Sequence, residues 1–163
     1  MSAILVRKFL REDATTLGQI FHRAVNEGAK QHYSSAQRRA WSQCAPSGPD
    51  WEARLGDAET FVAERDGSLV GFMSLVIESS HLEFAYVAPE AMGAGVSNAL
   101  YADLEFKARA CGLSRLSTDA SELARPFFLR QRWRLIERQE IVRHGVTLHN
   151  YRMEKVLIAE NAA

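Results

Sequence analysis

The stretch VAPEAMGAGVSNAL, Val87 to Leu100, joins an apolar, β-prone run to the opening turns of a helix. Gly93 and Gly95 stand where that helix starts, although glycine is among the poorest helix formers. A strand followed by Gly-x-Gly at a helix start can act as an anion cradle. The first amides lack intrahelical acceptors, the helix dipole favours negative charge, and glycine lets a phosphate approach the backbone. The donors would be the amides of Met92, Gly93, Ala94, Gly95, Val96, Ser97 and Asn98, with the Ser97 hydroxyl in support. Glycines in such a place also serve as plain loop punctuation. A Walker loop is excluded, since Val96-Ser97 follows the glycines in place of Lys-Ser/Thr. A Rossmann fingerprint is excluded because position 98 is Asn and an antiparallel hairpin precedes the turn.

Outward from this turn, the long helix runs over about Ala94 to Ala110, with Val96, Leu100, Leu104, Ala108 and Cys111 on one stripe. Ala99, Phe106 and Ala110 widen that stripe to the breadth of a helix packed on a sheet. Before the turn, TFVAERDGSLVGFMSLVIESS reads as two strands joined at Asp66-Gly67, and HLEFAYVAP as a third. At the amino terminus a strand over Ala3 to Phe9 precedes a helix that Asp13 can cap, with Leu17, Ile20, Phe21 and Ala24 or Val25 on its apolar face. Ser34 opens a second helix, and DWEARLGDA supplies a short third. After the long helix come a strand (LSRLSTD), a helix (SELARPFFLRQR) and a closing hairpin turned near His144-Gly145. This order predicts an α+β sandwich: a mixed, largely antiparallel sheet of about seven strands flanked by helices.

The chain has 163 residues, a length that suits one domain over 1–163 with a core needing no disulfide staples. Its 20 basic residues balance 20 acidic ones, which argues against a nucleic-acid or membrane-surface module. FLRQRWRL, Phe128 to Leu135, reads as a solvated helix end. Cys44 and Cys111 fit no metal spacing, and the apolar stripe implies a buried free thiol at Cys111. His144 and His149 have no carboxylate or thiol at ligand spacing, so no metal is assigned. MSAILVRKFL lacks the features of a signal peptide, and no segment has the length of a membrane span. The expected location is cytoplasmic.

YVAPEAMGAGVSNALYADLE, Tyr86 to Glu105, resembles the acetyl-CoA signature of the GNAT superfamily of N-acetyltransferases, Gln/Arg-x-x-Gly-x-Gly/Ala after a strand. SELARPFFLRQRWRLIERQEI is similar to the second signature of that family, with Ser121, Ala124, Phe127, Phe128 and Trp133 at matching places. HYSSAQRRAW and GVTLHNYRMEK also resemble parts of bacterial members, so the likeness spans nearly the whole chain. It implies a GNAT-like fold, acetyl-CoA as acetyl donor, a small-molecule or peptide amine as acceptor, and often a homodimer. Three positions depart from the pattern, and one of them, Ser97 in place of the small Gly/Ala of many members, is tolerable. Glu90 stands where Gln or Arg is usual, at the edge of an anion site. Phe128 stands where many members carry the tyrosine that protonates the departing thiolate.

The implied reaction is direct attack by an amine on the thioester in a ternary complex. It needs a neutral amine, and therefore a base titrating near neutrality. His81, at the entry of the strand before the glycine turn, is the first candidate, and Glu83, two residues on, is the second. A strand-end cap is the alternative role of His81. By the resemblance, backbone groups near Tyr86 or Val87 would polarise the thioester and pair with pantetheine. Tyr33 and Tyr151 are weighed as general acids against plain packing roles. Tyr33, Trp41 and Trp51 are the aromatic candidates for an amine pocket, with core packing as the alternative. Two further classes stay open: a non-catalytic acyl-CoA-binding or regulatory module, and an adenine-nucleotide-binding protein.

Overall fold

Two hairpins set the frame of the sheet, and each turns on a pair of residues with positive φ. Asp66 and Gly67 have φ of 54° and 78°, and His144 and Gly145 have φ of 50° and 76°. This is the type I′ geometry whose twist matches that of flanking strands. The first turn joins β2 (Glu59–Arg65) to β3 (Ser68–Val76), and the second joins β6 (Arg134–Arg143) to β7 (Val146–Val156). With β1 (Ile4–Lys8), β4 (His81–Val87) and β5 (Arg115–Ala120) they form one seven-stranded sheet in the order β1-β2-β3-β4-β5-β7-β6. Only β4 and β5 run parallel. The computed structural model describes residues 2–157.

Five helices cover the sheet: α1 (Ala14–Arg23), α2 (Ser35–Trp41), α3 (Pro49–Gly56), α4 (Val96–Ala110) and α5 (Arg125–Arg130). Adjacent strand residues face opposite sides. A Cβ on Gly71 would meet Val96 and Leu100 of α4, whereas the Phe72 ring packs on Trp51 of α3. The two helical layers therefore lie on opposite faces. Trp51 is 5% exposed; its indole N–H donates to the Ala14 carbonyl at 2.8 Å, and its ring meets Phe72 and Phe84 edge-on. Gly18 lets α1 close onto the loop between α2 and α3, since a Cβ there would lie 2.0 Å from the Pro46 carbonyl oxygen. Among the described residues no helix is long and apolar enough to cross a membrane.

Several local expectations are corrected. On α4, Val96, Leu100, Leu104 and Ala108 are buried at i, i+4 spacing, but Phe106 is 77% exposed. Two residues on from Leu104 is more than half a helical turn, which carries the ring round to solvent. Ala110 and Cys111 are exposed too, because the helix ends there and leaves the sheet, so Cys111 is not a buried thiol. Asp13 does not cap α1. It lies in a 3-10 turn over Arg11–Asp13, and its carboxylate accepts from the Leu10 N–H at 2.7 Å and from Arg7 at 2.8 and 3.0 Å. Ser34 does cap α2: its hydroxyl accepts from the Gln37 N–H, and the Gln37 side chain accepts in return from the Ser34 N–H.

Phe72 is fully buried among Trp51, Phe84 and Tyr86, so Phe72→Ala should cost about 3–5 kcal/mol, read as a lowered denaturation midpoint at unchanged slope. Burial opposes ionisation of Asp13, but hydrogen bonds from Arg7 and the Leu10 amide outweigh it and hold the carboxyl below its ordinary value. A depressed carboxyl stabilises the fold above its unfolded-state value and loses that contribution as pH falls through the folded one. Asp13→Asn should therefore lower stability at neutral pH and flatten its decline below about pH 4.

Candidate active site in the cleft between β4 and β5

β4 and β5 share only two register pairs, His81↔Ser117 and Leu82↔Thr118, and then separate. Beyond that point β4 stays paired to β3, so its other edge is open. Ala88 donates its N–H to Val70 at 2.8 Å, and alternation along an antiparallel pair turns the Tyr86 amide to β3 as well. The amide and carbonyl of Val87, like those of Ala85, then face the opening. Of the two positions expected to offer backbone groups, Val87 does so, while Tyr86 contributes its ring. That ring meets Phe21 at 4.6 Å and Trp41 at 6.4 Å and, with them, lines a cavity of about 720 Å³.

A second irregularity aims side chains into this cavity. Ser74 pairs with Phe84 but Leu75 with Leu82, so Glu83 is an extra residue in β4, a β-bulge. The bulge turns Glu83 and Phe84 to the same side, and His81 joins them in the cavity wall. The His81 Nδ1 lies 2.9 Å from the Ser117 hydroxyl, and its Nε2 lies 3.7 Å from Asp119. Glu83 accepts from the Arg54 Nε at 2.6 Å, and the Arg54 guanidinium lies over the Phe84 ring.

At the glycine turn, Gly93 and Gly95 have φ of 79° and 87°, and a Cβ on either would meet nothing within 4 Å. The left-handed conformation, not crowding within the protein, is what calls for glycine there. Two of the seven expected donors are used inside the turn: Met92 donates to Pro89 and Ala94 to Ala91, both at 3.3 Å. The first intrahelical bond of α4 runs from Ala99 to Gly95. The N–H groups of Gly93, Gly95, Val96, Ser97 and Asn98 have no acceptor among the described residues. The Met92 side chain fills the space beside Gly28, and the Asn98 side-chain Oδ1 accepts from the Gln131 side chain. Glu90 is tied away from these amides: Arg23 of α1 donates to both carboxylate oxygens, at 3.3 and 2.5 Å, and holds the carboxyl below its usual range.

The opposite wall of the cleft comes from the end of β5, the start of α5 and β7. Ser121, Ala124 and Phe128 line the cavity there. The Ser121 hydroxyl accepts from the Ala124 N–H, whereas Phe127 packs on Tyr101 and Phe128 in the core. Phe128 is 1% exposed and packs on Trp133, so no hydroxyl stands at this position.

Tyr33, Trp41 and Trp51 all reach the cavity, but only Trp41 is partly exposed. The Tyr33 hydroxyl accepts from the Glu122 N–H at 2.8 Å and donates to the His149 carbonyl at 2.9 Å. The Tyr151 hydroxyl donates to Glu122 at 2.7 Å. Both phenols are pushed above their usual range, Tyr33 by burial and Tyr151 by its bond to Glu122. Each phenol thus has its proton in a hydrogen bond to a protein acceptor, Tyr33 to the His149 carbonyl and Tyr151 to Glu122.

Glu122 also accepts from the His149 Nε2 at 2.5 Å and from Arg125 at 2.8 Å. Burial opposes its ionisation, but the bonds from Tyr151 and His149 and the charge of Arg125 outweigh it, and the carboxyl is held low. Sequence reading misses this pairing because it searches for partners at short spacing, whereas Glu122 and His149 are 27 residues apart. Among the described residues no group of three metal-ligating side chains is assembled.

The family model for the acetyltransferase (GNAT) domain matches residues 29–155. YafP, an uncharacterized N-acetyltransferase of Escherichia coli, is 33% identical over 153 residues, covering 94% of this chain and 96% of that protein. A GCN5-related N-acetyltransferase from Rhodopseudomonas palustris superposes with a TM-score of 0.88 at 33% identity, over 96% of this chain and 98% of the other. At 18% identity the fold alone is shared with a Thermoplasma acidophilum N-acetyltransferase solved in complex with coenzyme A, TM-score 0.74, over 94% and 99% of the two chains. The parted strands, the glycine turn and these relatives lead to one conclusion: the chain belongs to the GNAT superfamily of N-acetyltransferases.

Proposed function

We propose that the protein transfers an acetyl group from acetyl-CoA to an amine by direct attack in a ternary complex. The observation that carries this reading is the continuity of the open β4 edge with the five unbonded amides at the start of α4. An extended amide-bearing arm suits an open strand edge, and a pyrophosphate suits helix-start amides. Val87 and Ala85 would pair with the pantetheine arm, and Gly93, Gly95, Val96, Ser97 and Asn98 would hold the pyrophosphate. Ser121, Ala124 and Phe128 would pack against the arm from the other wall. Acetyl-CoA supplies an activated thioester whose thiolate is a good leaving group.

The chain's residues handle the acceptor. Phe21, Trp41 and Tyr86 offer aromatic surface to an amine entering between α2 and the closing hairpin. The His81 Nε2, beside Asp119, takes the proton from the acceptor ammonium and leaves a neutral amine. Glu83, tied to Arg54, shapes the floor beside it. Arg23 keeps the Glu90 carboxylate off the cradle, so the acidic residue at the usual Gln/Arg position does not repel the ligand.

Three measurements test the reading. With acetyl-CoA and a panel of amines, the protein should bind CoA and release free thiol only when an amine is present. CoA binding without thiol release from any amine would identify a binding module instead. Gly95→Asp forces a side chain into φ of 87° and sets a carboxylate beside the cradle, so CoA affinity should fall by at least about tenfold. Unchanged binding heat would remove the cradle. His81→Ala should lower kcat/KM by about 10²-fold and flatten the acidic limb of the pH–rate profile; an unaltered limb would clear His81 of the base role.

A further inference from the structure

Phe128 is apolar and the hydroxyls of Tyr33 and Tyr151 already donate within the protein, so the proton for the thiolate comes from water or from another side chain of this wall. We propose that His149, oriented by Glu122, carries the proton from the attacking amine nitrogen to the departing thiolate sulfur. The inference rests on the acetyl-transfer reading and names a residue that reading leaves without a role.

The geometry is that of a histidine held for proton transfer. The Glu122 carboxylate is ionised and can only accept, so the His149 Nε2 must donate to it. In the neutral ring this fixes the tautomer and places the lone pair on Nδ1, which has no partner among the described residues. The ring cannot turn freely: Tyr33 stacks on it at 5.2 Å and Tyr151 meets it edge-on at 5.8 Å. Its carbonyl is pinned by the Tyr33 hydroxyl. His149 lines the cavity on the same wall as Ser121, Ala124 and Phe128. This is the wall where the family signature puts its acid, while His81 stands where β4 and β5 part. The groups facing the ring are Glu122, Tyr33 and Tyr151, with Arg125 beyond Glu122 and Glu140 opposite on β6.

The step balances without an external acid. The lone pair of the neutral amine forms the C–N bond, and the C–S bond breaks with its electron pair going to sulfur. The proton shed by nitrogen passes to Nδ1, and the imidazolium so formed is compensated by Glu122, which stays ionised. Nδ1 then gives that proton to the thiolate, so the products are an amide and a free thiol. Glu122 acts through His149 and is a positioning residue.

The test compares wild type, His149→Gln and Glu122→Gln by amine-dependent thiol release across pH and by calorimetric CoA binding. For His149→Gln, kcat should fall by about 10²-fold with CoA affinity held within about twofold, and the acidic limb should lose one proton of dependence. Glu122→Gln should lower kcat by about tenfold and displace the same limb, which a merely structural carboxylate would not do. Added imidazole should restore part of the activity of His149→Ala. A His149→Gln enzyme with wild-type kcat and pH profile overturns the proposal while acetyl transfer stands. If His149→Gln does not fold, an unmoved limb in Glu122→Gln overturns it instead. A wild type that binds CoA yet acetylates no amine overturns both readings.

Discussion

The parting of two parallel strands is the constraint on which this molecule depends. β4 and β5 hold together at His81–Ser117 and Leu82–Thr118 and nowhere beyond. Backbone groups of a sheet interior do not go unpaired without cost, so an opening there must be repaid by a ligand or by water. The cleft is kept open by what flanks it. β4 is fully paired to β3 on its far side, and β5 is paired to β7 over Arg115 to Ala120. Neither strand can shift to close the gap without breaking the other ladder.

The helices belong to this arrangement. The chain leaves β4 at Val87 and enters α4 at Val96 through the glycine turn, so the free amides follow the open edge along the chain. α1 and α3 pack the opposite face through Phe21 and Trp51, and α1 also reaches the turn through Arg23 and Glu90. That ion pair is largely exposed and adds little to stability. Its effect is electrostatic and local, since it settles which way an acidic side chain points beside an anion site.

Much of the fold was readable because its signals are local. Asp66-Gly67 and His144-Gly145 name their own turn type, Ser34 with Gln37 spells a capping box, and Gly93 with Gly95 marks a strand-to-helix turn. The rest depends on tertiary register. The bulge at Glu83 leaves no mark in HLEFAYV, yet it decides that Glu83 and Phe84 share a face. Phe106 and Cys111 were misplaced because an apolar residue on a helix need not face the sheet. Glu90 is adverse by sequence alone, and only the fold sets Arg23, 67 residues earlier, beside it. The Glu122–His149 pair arises from the β5–β7 ladder, which no spacing rule anticipates.

The Tyr33 hydroxyl, which bonds the Glu122 amide and the His149 carbonyl at once, has a consequence for how such a protein can diversify. It joins the turn that precedes α2 to the two segments that present His149 and Glu122. Trp41, its partly exposed neighbour, touches Tyr33 and Tyr86 at the cavity rim and ties no second element to the wall of His149 and Glu122. Tyr33 differs in this, since replacing it would unseat both segments together. The rim of the cavity can thus change shape while the wall that carries His149 and Glu122 stays in place.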